Sequence, residues 1–561
     1  MTRSHRLNWL HDGTHRHALG LIGIAMCSAL CLSGGPAAAA GSRSNSEHAC
    51  VALQGLKISA ARIGLPTSGA EVRSATLIAA DAADNKLGEY CLVKGVIAPV
   101  DPSAPGIEFE VNLPTRWNFK ALQLGGGGYD GTLVTGLGPA GLQLPTAELP
   151  LQEGYVTLGS DGGHKGGPGF DGTFLLNDEA LLNYGKESIK KTHDAALVVI
   201  QARFARVPKR FYFIGNSQGG HEALDAAARY PHDYDGVIAN YPAYNVMMLH
   251  LGSLNVGKAV YADGGAGWMS AQKVKLLSDA AVAACDELDG AKDGIISNVA
   301  ACNARFSIET VRSQLRCKDG ADSGDTCLSD AQIEAVRKIS SPYRPGFAIA
   351  GAEEFPRWAI LEGSRLTVAN LGKSPIPGNP PVQGDALLYM AGSATSRFAV
   401  TRNPALDALT FDPAAWRARI QQLGTIFDDT DVDLTPFRRK GGKIIMVHGT
   451  EDEFITPHNS DAYYERHRAL QGAKNMEAFF RYYKIPGLSH GFGTFNAKYP
   501  GLATLDAWVD KGQAPGNLVS TDVNPGSAGR TRPMCRYPSW PKFTAAAAAS
   551  LNDAANFTCV E

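Results

Sequence analysis

The stretch Phe211-Tyr212-Phe213-Ile214-Gly215-Asn216-Ser217-Gln218-Gly219-Gly220 decides how this chain folds. Its first four residues are an apolar run of strand length. The segment Glu222-Ala223-Leu224-Asp225-Ala226-Ala227-Ala228 that follows is rich in helix formers. Between them, G-x-S-x-G reads as a tight turn that takes a strand directly into a helix. The glycines are needed because side chains flanking such a strained turn would clash. Strand, turn and helix in this order predict an α/β fold with Ser217 exposed as a nucleophile at the end of a strand.

A serine is a poor nucleophile without a base, and the base needs a group to orient it. In α/β-hydrolases the order along the chain is Ser, acid, His, each on a loop after a strand. The run Lys443-Ile444-Ile445-Met446-Val447-His448-Gly449 reads as a later strand and is followed by Thr450-Glu451-Asp452-Glu453. Asp452 is the expected acid, with Glu451 and Glu453 as neighbouring competitors. An amphipathic helix is expected near 459–470. Phe479–Ile485 then reads as another strand, ending in Pro486-Gly487-Leu488-Ser489-His490-Gly491. His490, in a glycine-rich loop directly after a strand, is the expected base. His448 lies at a strand end, and His221 lies one helical turn beyond the serine, so both are weaker candidates. The oxyanion needs backbone donors. Gln218, next to the nucleophile, supplies one, and the loop Gly125-Gly126-Gly127-Gly128 after Leu122-Gln123-Leu124 is suited to supply the other.

Ser217 and Asp452 stand much farther apart in the chain than a compact hydrolase core requires. The spacing therefore predicts a large insertion, with limits near Tyr244 and Pro436, that covers the site as a lid. The expected organisation is a signal peptide over 1–40, a first core part over 41–244, the lid insertion over 245–436 and a second core part over 437–561. Inside the insertion, Cys285-Asp286-Glu287-Leu288-Asp289-Gly290-Ala291-Lys292-Asp293-Gly294-Ile295 is rich in hard oxygen donors suited to Ca²⁺. Its spacing is not that of an EF-hand. An acidic surface turn is the competing reading.

Composition is ordinary for a soluble globular protein: 561 residues, 44% apolar and 19% charged, with 62 glycines pointing to many tight loops. A net charge of −2 gives no reason to expect nucleic acid or an anionic membrane as partner. Arg3, Arg6 and Arg16 precede an apolar stretch from about Ala18 to Leu32 and a small-residue region ending in Ala37-Ala38-Ala39-Ala40. This is the pattern of a cleaved secretory leader and predicts export to the periplasm or the extracellular space. Of ten cysteines, Cys27 and Cys31 leave with that leader. The remaining even set of eight reads as disulfides in an oxidising compartment, with the pairing left open by spacing alone.

Taken together, these motifs resemble the tannase/feruloyl esterase family of α/β-hydrolases. The resemblance is carried by Gly125–Gly128, Asp161-Gly162-Gly163-His164, the turn at Ser217, Tyr234-Asp235-Gly236, the acidic loop, His448-Gly449 with Asp452, the His490 loop and Arg532-Pro533-Met534-Cys535. It runs from about Cys50 to Cys559. The resemblance implies a secreted serine carboxylic ester hydrolase acting on hydroxycinnamoyl (feruloyl) or galloyl esters, small or attached to polysaccharide. Alternatives are an esterase for other small or aryl esters, terephthalate monoesters included, and a non-catalytic binding protein of the same fold, which an intact Ser217, Asp452 and His490 argue against. The resemblance further implies a structural Ca²⁺ held by Asp286, Asp289 and Asp293 with the backbone oxygens of Ala291 and Ile295. It implies oxyanion donors at Gly128 and Gln218, and the disulfides Cys50–Cys91, Cys285–Cys302, Cys317–Cys327 and Cys535–Cys559. In one respect the chain departs from the family: relatives carry a disulfide beneath the triad where this chain has Asn216 and Gly491. Asn216 is therefore expected to hold the histidine loop by side-chain hydrogen bonds instead.

Overall fold

A computed structural model describes residues 45–166, 170–430, 433–546 and 548–561, so the expected leader lies outside the described residues. Its frame is a 13-stranded mixed sheet. The centre of the sheet is six parallel strands, in the spatial order Val156–Ser160, Lys120–Leu124, Arg210–Asn216, Gly236–Asn240, Lys443–Gly449 and Phe480–Ile485. These strands are nearly continuous apolar runs, as expected where helices cover both faces of a parallel sheet. Four antiparallel strands, from Lys57–Ile58 to Ile107–Pro114, extend one side, and three more (Ala497–Lys498, Leu518–Asp522 and Thr531–Arg536) extend the other. The architecture is α/β, as the sequence predicts.

The strands after which Gly125–Gly128, Ser217, Asp452 and His490 follow all run in one direction. Their loops therefore open at the same carboxyl edge, where sheets of this kind bind ligands. The expected helix near 459–470 is Pro457–Gln471, and the last core strand is Phe480–Ile485.

Gly236–Asn240 and Lys443–Gly449 are direct neighbours, with Val237 opposite Ile444. The chain between them therefore leaves the sheet and returns to the adjacent position. It forms helices from Val246–Gly265 to Thr435–Lys440, with isolated β-bridges but, among the described residues, no further strand of the main sheet. This inserted layer shares its hydrophobic core with the edge of the sheet. Leu254, Val260, Phe355, Trp358 and Tyr389 cluster with Tyr129, Tyr184 and Ile455. Fully burying each such side chain contributes roughly 1.5–3 kcal/mol, so the layer is packed onto the site. Residues 46–561 accordingly form one compact unit.

Candidate active site

The turn at Ser217 is as tight as its glycines predict. Ser217 has φ +56 and ψ −117, a conformation that L-residues rarely adopt. A Cβ on Gly215 would lie 2.0 Å from the Gly219 carbonyl oxygen, and one on Gly219 would lie 2.8 Å from that of Gly126. Only glycine lets the strand, the turn and the Gly125–Gly128 loop approach so closely. The helix Gln218–Arg229 starts directly beneath Ser217, so its positive N-terminal end faces the place where negative charge would develop.

His490 Nε2 lies 2.9 Å from Ser217 Oγ, and His490 Nδ1 lies 2.8 Å from Asp452 Oδ2. The three residues expected from the sequence therefore meet in hydrogen-bonding order. Asp452 is fully buried, and its other oxygen accepts the backbone N–H groups of Phe454 and Ile455, each at 2.9 Å. Burial alone would raise its carboxyl. The positive field of His490 and hydrogen bonds from His448 and His490 outweigh it and hold Asp452 well below the usual carboxylate range. Burial likewise opposes charge on His490, but Asp452 and Glu453 overcome it and raise its pKa above the ordinary 6.5. The competitors are engaged elsewhere: Glu451 accepts from Thr494 Oγ1 at 3.0 Å, and Glu453 accepts from Ser489 Oγ.

Gly128 and Gln218 line the same cavity as Ser217 and His490. Among the described residues neither backbone N–H donates a hydrogen bond within the protein, so both are free to meet an oxyanion. Gly128 has φ +61, which glycine adopts at little cost. The cavity holds about 160 Å³ and is walled by Val246, Leu249, Leu388 and Ala391 from the inserted helices, with Phe454 and Ile455 from the core. This arrangement can move a proton from a serine to an imidazole beside two unpaired N–H donors, facing an apolar space.

The matched family model, tannase and feruloyl esterase, spans residues 91–560. The chain belongs to that family, whose members are carboxylic ester hydrolases. An uncharacterized esterase of Agrobacterium fabrum is 39% identical over 529 residues, 92% of this chain and 94% of the relative. The mono(2-hydroxyethyl) terephthalate hydrolase of Piscinibacter sakaiensis is 30% identical over 532 residues, covering 84% of this chain and 85% of that protein. The crystal structure of feruloyl esterase B from Aspergillus oryzae shares the fold at a TM-score of 0.73 and 23% identity, over 92% of this chain and all of that one.

In this family member four disulfides are formed, Cys50–Cys91, Cys285–Cys302, Cys317–Cys327 and Cys535–Cys559, the pairing that the resemblance implies. One expectation fails. Among the described residues Asn216 makes no hydrogen bond to the histidine loop, and its Oδ1 accepts from Asn240 Nδ2 at 2.9 Å. The reason lies in the register. Asn216 and Asn240 are opposite each other on adjacent parallel strands, so the amides pair across the sheet. The histidine loop is held by other groups. The Tyr241 ring packs 4.7 Å from that of His490, and a Cβ on Gly491 would lie 2.9 Å from the Tyr241 hydroxyl.

Three further residues escaped the sequence reading. His448, considered only as a possible base, is fully buried, and its Nε2 lies 2.9 Å from the Ile455 carbonyl and 3.3 Å from Asp452 Oδ2. The carbonyl can only accept, so Nε2 carries the proton and shares it with the acid. Glu222, one turn into the helix after Ser217, accepts the Gly126 N–H at 2.9 Å. Asp130, buried beside it, is pushed well above the ordinary carboxyl range by burial and by Glu222, and burial moves Glu222 to about 7. Through the Gly126 N–H, Glu222 supports the Gly125–Gly128 loop from behind. No local signal marks Asp130, and Glu222 is marked only by its place on the helix after Ser217.

In the acidic loop, Asp286 and Asp289 are buried. Asp286 Oδ1 accepts from Gly294 N at 2.9 Å, and Asp289 Oδ1 accepts from Ala291 N at 2.9 Å. Asp293 pairs with Arg532, so the loop is tied to the C-terminal strands. Burial and the nearby Asp293 raise both Asp286 and Asp289, the latter to about 6. Among the described residues no hydrogen bond is donated to the carbonyls of Ala291 or Ile295. Sets of three His, Cys, Asp or Glu ligand atoms within 4.8 Å of one another occur elsewhere, at His193/Asp194/Asp233 and at His221/Asp225/Asp429.

Proposed function

We propose that this protein is an exported serine esterase that cleaves esters of uncharged aromatic acids, hydroxycinnamic or gallic, through an acyl-enzyme. The observation that carries this reading is the hydrogen-bonded line Ser217–His490–Asp452 opening on an apolar cavity. His490 takes the proton of Ser217 as its oxygen attacks the ester carbonyl. Asp452 keeps the imidazole oriented and stabilises its positive charge. The N–H groups of Gly128 and Gln218 receive the oxyanion, and the alcohol leaves with the proton from His490. Water activated by His490 then releases the acid and restores Ser217. The four disulfides support export, since such bonds persist in oxidising compartments.

Terephthalate monoesters are the alternative that the Piscinibacter relative's name brings forward. Against it, no Asp, Glu, Lys or Arg among the described residues lines the cavity, so a second carboxylate would be desolvated without a partner. The test is a panel of methyl hydroxycinnamates, methyl gallate, nitrophenyl acetate and a terephthalate monoester. Turnover of the neutral aromatic esters well above the anionic one is expected. Preference for the anionic ester overturns the acyl assignment.

The acidic loop is proposed to hold a structural Ca²⁺. Two buried carboxylates, with two backbone carbonyls that among the described residues receive no hydrogen bond, place hard oxygen donors in one loop, while Asp293 is paired with Arg532 and would have to turn toward the ion. Asp286, Asp289 and Asp293 with the oxygens of Ala291 and Ile295 would hold it. The ion would supply charge compensation to the inserted layer and take no part in the ester chemistry.

A further inference from the structure

One side chain of the cavity wall has a hydrogen-bonding sense that the surrounding groups determine. Tyr129 Oη donates to the Ala391 carbonyl at 2.8 Å and lies 2.6 Å from Thr395 Oγ1. Thr395 Oγ1 in turn lies 2.7 Å from His250 Nδ1. A carbonyl can only accept, and a phenol has a single proton. The Tyr129 proton therefore goes to Ala391, and Thr395 must donate to Tyr129. That uses the only Thr395 proton, so His250 Nδ1 must be the donor to Thr395. Reversing the chain would leave two oxygens facing each other at 2.8 Å with no proton between them. His250 is thus the Nδ1–H tautomer, and its Nε2 is a bare acceptor.

Three observations direct that acceptor toward the cavity. His250 lines the cavity together with Ser217 and His490. Among the described residues Nε2 makes no hydrogen bond, and it is not one of the sealed, unpartnered polar atoms. The residue is 8% exposed and its ring packs 5.4 Å from that of Tyr129, so the ring cannot turn freely. Burial, reinforced by His221, also pushes His250 down to about 3, which favours the neutral ring.

We propose that His250 is a specificity residue whose Nε2 accepts a hydrogen bond from a hydroxyl on the aromatic acyl group, selecting uncharged phenolic acyl esters over their unhydroxylated or O-methylated counterparts. Tyr129 and Thr395 are positioning residues that fix its tautomer. An acceptor in a wall whose other side chains, Ser253 apart, are mostly apolar is left unpaired by a substrate that lacks the donor, which is how a binding site rejects such an analogue. The assignment rests on the proposed aromatic-acyl reading.

The test compares kcat/KM for methyl 3- and 4-hydroxycinnamate, methyl 4-methoxycinnamate and methyl cinnamate. All four release methanol. Hydroxyl and methoxyl have similar electronic effects on the ester, and unsubstituted cinnamate controls for size. The wild type should favour the better hydroxy ester over both controls by about tenfold or more. His250→Phe and the isosteric Thr395→Val should each bring that ratio close to one. A wild-type ratio near one overturns the proposal, and so does a ratio retained in both folded variants. If nitrophenyl acetate is cleaved but no cinnamate is, the aromatic-acyl reading itself has failed and this assignment falls with it. A wild-type preference without any effect of the two variants leaves the aromatic reading standing and removes His250 alone.

Discussion

At the carboxyl edge of the sheet, the proposed catalytic groups are held by many converging bonds. Asp452 alone receives two backbone N–H groups, His490 and a share of the His448 proton. Across the cavity, the inserted helices Val246–Gly265 and Leu387–Ala394 present a mostly apolar wall in which Ser253 and His250 are the polar side chains, and Tyr129 and Thr395, outside those helices, hydrogen-bond in line to His250. The edge fixes a reaction geometry, and almost any loss there is a loss of chemistry. The wall fixes volume and one hydrogen-bonding sense, so changes there should redistribute substrates and leave the chemistry in place. That contrast explains why the two regions should respond to mutation on different scales.

The largest effect belongs to the edge. Ser217→Ala should lower kcat by about 10⁵–10⁶ on every ester, measured by product release with the protein shown to be folded. An effect confined to one substrate class would erase the distinction between edge and wall. Asp452→Asn should cost about 10⁴, because the imidazole loses its orienting charge. The same pair sets the pH profile. His490 acts as base only when neutral, and Asp452 raises its pKa, so the acid limb of kcat/KM should have its midpoint above 6.5 in the wild type. The residual activity of Asp452→Asn should show that limb shifted to lower pH. A shift the other way would mean that Asp452 does not carry the charge facing His490.

On the wall the expected effects are smaller and selective. Ala391→Leu puts a larger side chain into a cavity of about 160 Å³. It should lower kcat/KM for methyl cinnamates by about tenfold or more while sparing nitrophenyl acetate, since overpacking costs on the order of 1–3 kcal/mol. Equal loss on both would show that the wall is not where acyl size is read. Smallest is the effect of the acidic loop. Chelation should lower the Tm by a few degrees, through loss of the binding free energy that favours the folded state. Metal analysis should find Ca²⁺ in the untreated protein. An unchanged Tm with no metal detected removes the cation from the account.

The same contrast governs what could be read from the sequence. Ser217, Asp452 and His490 each follow an apolar strand-length run and sit in a turn rich in glycine or acid, so local signals marked them. The parallel order of those strands brings their loops to one edge, and the triad follows from that topology. The wall had no such signal. Tyr129, His250 and Thr395 lie far apart in the chain, and apolar periodicity predicts a buried helix face without saying which faces oppose each other. The Asn216 expectation failed for a related reason. It was placed by position in the chain beside the serine, whereas its partner, Asn240, is set by strand register. Asp130 and Glu222 carry no local signal because two buried carboxyls come together only once two distant segments are packed against each other.

The most direct measurement of the central claim is covalent trapping. The protein is treated with a serine-directed fluorophosphonate, the modified peptide is identified by mass spectrometry, and residual ester turnover is followed in the same samples. The account predicts a single adduct on Ser217, loss of turnover in proportion to it, and greatly slowed labelling in His490→Ala. Ester turnover that persists with Ser217 fully modified, or an adduct on another residue that tracks the loss of activity, would contradict it.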